Sequence, residues 1–117
     1  MLNSDGGIET DLTVVCVDKN HFRIISSAAT RERDKFHINK HLSKNVELKD
    51  ITDDLCVFGL FGPKSRDLLK TLSKDNFEND QFRFGFAKFI TIDGVKIWTQ
   101  RLSYVGELGY ELYVDLR

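Results

Sequence analysis

Glu111 sits in the run Tyr110-Glu111-Leu112-Tyr113-Val114, a carboxylate with aromatic neighbours inside an otherwise apolar stretch. Side chains alternate along an extended strand, so Tyr110, Leu112 and Val114 are expected on one face, and Glu111 and Tyr113 on the other. A carboxylate so placed either binds something or points to water from a half-buried strand, as glutamates commonly do. Tyr104 precedes it on the stretch 102–105, and Gly106 and Gly109 frame a corner between the two arms. Glycine there permits a positive φ or a close backbone approach, which predicts two strands, 102–105 and 110–114, lying side by side. A second set of acids, Glu9 and Asp11, follows the pair Gly6-Gly7. On residue type alone these belong to a flexible start with its carboxylates in solvent.

Other constellations lead less far. His37 and His41 have the i, i+4 spacing that sets two imidazoles on one helix face for a metal. A metal site needs at least a third donor, and no acidic or cysteine set recurs at such a spacing, so a solvated helix face is the better reading and no metal is expected. No Ser-His-Asp or Cys-His arrangement stands out. Gly59-Leu60-Phe61-Gly62 lacks the following Gly-Lys-Ser/Thr of a phosphate loop and reads as a strand-to-helix turn.

The elements that must position these residues follow from length and pattern. The chain has 117 residues, 41% of them hydrophobic and 30% charged, as expected of one globular domain, 1–117. Seventeen basic and eighteen acidic residues leave a formal net charge of −1, which points to neither nucleic acid nor an anionic membrane as partner. No apolar run approaches the ~20 residues of a membrane span, and the first residues lack a signal peptide's basic start and apolar core. Cys16 and Cys56 lie within apolar runs, which predicts buried, reduced thiols and a reducing compartment.

In chain order, 12–17 predicts a strand buried on both faces, Asp18-Lys19-Asn20 a turn, and 22–26 the returning strand. Ser26 or Ser27 is placed to cap a helix over 28–42 with a narrow apolar side of Phe36, Ile38 and Leu42. A short strand over 46–48 and a more buried one over 55–61 follow. Gly62-Pro63 starts a second helix with Leu68, Leu69 and Leu72 turned inward. Phe82, Phe84 and Phe86 alternate into a strand running to Phe89, with a bulge near Phe86-Ala87. Asp93-Gly94 is a type I′ hairpin signal, and 95–100 leads into the glycine corner. The order ββαββαβββ predicts an α+β fold, a mostly antiparallel sheet with two helices packed on it.

Four ordered segments carry a family resemblance: NSDGGIETDLTV at 3–14, SSAATRERD at 26–34, FGLFGPKSRDLL at 58–69 and RLSYVGELGYELYV at 101–114. Together they resemble the folate-binding aminomethyltransferase family, which includes the glycine cleavage T-protein and the folate domains of dimethylglycine and sarcosine dehydrogenases. The wording of 104–113 is nearer to the dehydrogenase branch. The resemblance implies tetrahydrofolate as cofactor and one-carbon transfer as reaction, with capture of a methylene unit from a small N-methyl or aminomethyl donor to give 5,10-methylenetetrahydrofolate. It also implies site residues. Glu111 corresponds to the carboxylate that takes paired hydrogen bonds from the pterin ring, and Tyr104 to its aromatic neighbour. Asp11 corresponds to the acid beside the reactive folate nitrogens, within hydrogen-bond reach as a general base must be. T-proteins often carry two adjacent acids there; the first is Thr10 in this chain, which again favours the dehydrogenase branch.

By the same resemblance an FAD-containing domain or a lipoyl carrier protein is the expected partner. FAD would belong to a domain outside these residues, since nothing among them resembles a flavin site. The expected location is cytoplasmic, or the mitochondrial matrix in a eukaryote. The family's folate domain is larger than 117 residues, so the chain is expected to be a fragment of one. Thr10 at the first acid's position supports a rival reading, a non-catalytic binding or scaffold domain that keeps the fold.

Overall fold

The computed structural model describes residues 1–116, and the chain divides into two compact units, Met1–Asp50 and Ile51–Arg117. In the first, β1 (Thr13–Asp18) pairs antiparallel with β2 (His21–Ile25). The Asp18 carboxylate accepts the Asn20 N–H at 2.9 Å and so closes the predicted turn. A 3₁₀ turn, Ala28–Thr30, runs into helix α1, Arg31–His41. Ser27 provides the expected cap, accepting the Ala29 N–H. Ahead of the hairpin, residues 1–10 fold back through a Leu2–Ile8 bridge, organised by Asn3, whose Oδ1 accepts the N–H groups of Asp5 and Gly7.

The second unit is a four-stranded antiparallel sheet of order β3-β6-β5-β4, with β3 at Leu55–Phe61, β4 at Ala87–Ile92, β5 at Val95–Gln100 and β6 at Gly109–Asp115. Helix α2, Ser65–Leu72, lies against β6. Asp93 and Gly94 both take positive φ, 47° and 80°, as a type I′ turn between β4 and β5 requires. Side chains alternate as expected along β6: Tyr110 and Leu112 join Ile97, Ile90, Leu69, Phe77 and Phe82 in the core. Phe77, Phe82 and Tyr110 hold one another by ring contacts of 5.6–6.4 Å. The fold is α+β with mostly antiparallel sheet and two helices, and among the described residues no helix is long and apolar enough to cross a membrane.

Several local expectations are corrected. The strand at 12–17 is not buried on both faces: Val15 is buried while Val14 and Cys16 are exposed, because alternate side chains of the ribbon face opposite ways and only the Val15 side is covered. Cys16 and Cys56 are free thiols, the one exposed and the other half-buried, so neither is a core residue. On α1 the buried residue is Asp34, and Phe36 is 73% exposed. Residues 46–48 form no strand; Val46 closes a turn onto the Ser43 carbonyl, and so short a segment has little to pair with. On β3, Val57 and Phe58 are exposed, and on α2 only Leu69 of the three leucines is buried.

The phenylalanine alternation at 82–86 is a turn rather than a strand, and it closes in a bulge at Gly85-Phe86, next to the expected position. Gly85 has φ 78° and Phe86 N–H reaches back to the Arg83 carbonyl. Gly85 N–H donates to the Arg101 carbonyl and Arg101 N–H to the Phe86 carbonyl, so two residues stand opposite Arg101 before the regular ladder of β4 begins at Ala87. Residues 102–108 likewise form a loop rather than a strand. The strand lying beside β6 on that side is β5.

Candidate functional site

The register around Glu111 defines what surrounds it. Gly59 on β3 and Gln100 on β5 are its directly paired neighbours, while Val57 and Trp98 pair with Tyr113. Directly paired residues share a face, so Gly59, Glu111, Tyr113, Trp98 and Gln100 lie together on the side opposite the core. The ring contact of Trp98 with Phe89, 5.1 Å between centroids, fits the same assignment. Glu111 is half-buried, and the Tyr113 hydroxyl donates to its Oε2 at 2.5 Å. That bond fixes the carboxylate and leaves Oε1 as an acceptor toward other donors.

Glycines shape the floor beside it. A Cβ on Gly59 would meet the Phe61 ring, with Cζ at 2.9 Å, and one on Gly109 would meet the same ring. The Phe61 ring therefore lies across two glycines next to Glu111, and it remains 38% exposed. A carboxylate beside an uncovered aromatic ring suits a flat, donor-bearing heterocycle. Both uses of glycine expected of the corner occur: Gly106 has φ 73°, and Gly109 admits the ring and the Leu102 carbonyl. Tyr104 stands on the 102–108 loop with 69% of its surface exposed.

Asp11 belongs to the Met1–Asp50 unit, where it is exposed at the approach to β1. Its neighbour Thr10 is buried, with its carbonyl accepting the Met1 ammonium at 2.7 Å. Burial of Asp34 on α1 tends to raise its pKa, but hydrogen bonds from the Thr30, Ser26 and Thr10 hydroxyls, aided by the Arg33 charge, outweigh it and hold the carboxyl below the usual range. The Thr30 bond measures 2.6 Å. The Thr10 hydroxyl also lies 3.4 Å from the Asp11 carbonyl oxygen.

His41 sets its Nδ1 2.9 Å from the His37 carbonyl, and among the described residues no group of three or more His, Cys, Asp or Glu is arranged to hold a metal. Sequence reasoning missed Phe61 and Gln100 as neighbours of Glu111 and Asp34 as a buried group. Only Gly59 and Gly109, flanking apolar strands, hinted at the first.

The braced Glu111 carboxylate beside the partly exposed Phe61 ring is the candidate site, and similarity to known proteins shows the family. The model of the GCVT N-terminal domain matches residues 1–117, and the chain belongs to that family. It is similar to human mitochondrial dimethylglycine dehydrogenase, 34% identical over 97% of this chain and 13% of that protein. It is also similar to the aminomethyltransferase of Natranaerobius thermophilus, 31% identical over 97% of this chain and 31% of that protein. A third relative is the formaldehyde-forming 4-methylaminobutanoate oxidase of Paenarthrobacter nicotinovorans, 31% identical over 96% of this chain and 14% of that protein. The chain spans less than a third of the length of each.

Proposed function

We propose that this chain contributes the pterin-reading part of a tetrahydrofolate site in an enzyme of one-carbon transfer, most like the folate portion of a dimethylglycine or sarcosine dehydrogenase. The observation that carries it is Glu111, braced by the Tyr113 hydroxyl and set beside the exposed Phe61 ring. When bound, tetrahydrofolate supplies the nucleophilic nitrogen that takes up the one-carbon unit. Glu111 accepts from a ring N–H and the adjacent amino group, and a charged acceptor makes such bonds short and strong. Phe61 supports the ring's flat face, and Tyr104 packs against the bound molecule from its loop. Asp11 orients the reacting nitrogen or holds its proton. The one-carbon donor is a small N-methyl or aminomethyl compound, and FAD chemistry belongs to a partner domain.

Thr10 favours the dehydrogenase branch over the T-proteins, because its position carries no acid. The missing acid also suits the rival reading of a binding domain without turnover, which would bind folate and leave an Asp11→Asn change silent.

The test is tetrahydrofolate affinity in the protein as it occurs naturally, before and after Glu111→Gln. The amide turns a donor against a donor, and loss of a charge-assisted hydrogen bond of about 1.5–3 kcal/mol weakens binding roughly ten- to a hundredfold. Unchanged affinity would leave Glu111 an ordinary strand residue and remove the reading.

A further inference from the structure

Gln100 is 2% exposed, and its Oε1 accepts no hydrogen bond. A buried carbonyl oxygen without a donor is uncommon in native proteins and calls for a reason. Gln100 is the residue paired with Glu111 across β5 and β6, so the two side chains start about 5 Å apart on one face. Glu111 already takes the Tyr113 hydroxyl on Oε2. Two acceptors therefore stand side by side, one charged and braced, the other neutral and unused.

A pterin edge presents a matching set of donors. Its ring N–H and one hydrogen of the adjacent amino group go to the carboxylate, and the amino group's second hydrogen points to the other side, beyond that carboxylate's reach. We propose that Gln100 is a second pterin-contacting residue, whose Oε1 accepts this second amino hydrogen; the inference rests on the folate reading of Glu111. Gln100 then distinguishes 2-amino heterocycles from those with hydrogen or oxygen at that carbon, because only the amino group supplies two donors.

An unused acceptor gives a signature that a structural role does not. Gln100→Met keeps the length and bulk of the side chain and removes the unsatisfied oxygen. The melting midpoint should hold or rise by a few degrees, about 2–5 °C, while tetrahydrofolate affinity falls roughly three- to tenfold. Gln100→Asn, which withdraws the same carboxamide by one methylene, should weaken binding in the same direction. Measured with a 2-desamino folate analogue, wild type and both variants should bind alike. Loss of stability together with equal loss for both ligands would assign Gln100 to packing and overturn the inference. Unchanged tetrahydrofolate affinity in both variants, beside a weakened Glu111→Gln, would overturn it alone. Failure of the wild type to bind tetrahydrofolate would remove the folate reading and this one with it.

Discussion

An alanine at Gly109 would bring its methyl carbon to 2.7 Å from the Leu102 carbonyl oxygen and 2.9 Å from Ser103 Cβ, with the Phe61 ring closer still. The ring is partly exposed and can swing aside. The carbonyl is backbone of the loop leading into β6, and relieving it means moving that loop or shifting the first residue of the strand. Overpacking of this kind costs about 2–3 kcal/mol. Gly106 is the internal control. It has φ 73° and open space around its missing Cβ, so Gly106→Ala meets only left-handed backbone strain, about 1 kcal/mol. Trp98, the sole tryptophan, is buried on β5 beside β6 and reports unfolding of this sheet by its fluorescence. With a urea slope of roughly 1 kcal/mol per molar, Gly109→Ala should lower the midpoint by about 2–3 M and Gly106→Ala by about 1 M. Adding Phe61→Ala to Gly109→Ala removes the ring clash but leaves the carbonyl, so at most part of the loss should return. Equal midpoints for the two glycine variants, or full rescue by the double change, would refute the placement of the backbone clash.

Asp34 should make the first unit acid-sensitive. Its carboxyl is held below its ordinary pKa when folded, so its contribution is present above the unfolded value and lost as pH falls through the folded one. Asp34→Asn should cost about 1.5–3 kcal/mol at pH 7, and the gap should narrow below about pH 4 in circular dichroism melts; a gap independent of pH would contradict this. Thr10→Asp places a second carboxylate against Asp34, so it should destabilise by roughly 2–3 kcal/mol at neutral pH and recover in mild acid as one group protonates. A neutral-pH melt equal to wild type would show that position 10 does not face the Asp34 carboxylate. Native labelling by a thiol reagent should modify Cys16 at close to a free-thiol rate and Cys56 more slowly; equal rates would contradict their different burial.

What the sequence discloses depends on how local the cause is. The Asp93-Gly94 turn is legible because two adjacent residues decide it, and the shared face of Glu111 and Tyr113 because alternation along one strand does. The neighbours of Glu111 are not local. Gln100 and Gly59 reach it only through the strand order β3-β6-β5-β4, which no pattern within β6 specifies. Phe82, Phe84 and Phe86 mislead because a turn at Gly85 can also put aromatics at every second position. Asp34 looks like one more charge on a wet helix, since its hydroxyl partners come from Thr10 and Ser26 in other segments. Cys16 and Phe36 fail for another reason: an apolar run marks the capacity to be covered, and a hairpin or a helix does not by itself provide the cover.

The place of β6 has a consequence for how the chain is made. Among the described residues it is the last strand, yet it pairs with β3 on one side and β5 on the other. On the ribosome, β4 and β5 can close early as a hairpin through their tight turn, but a lone hairpin is marginal in water, and β3 has no partner until 109–115 emerges. Joining β3 to β6 also closes a long loop, a slow step in folding. Glu111 rides on the strand whose arrival completes the sheet, so the candidate site comes into existence in the same event that makes the unit stable. Nascent or truncated chains lacking that strand should have neither.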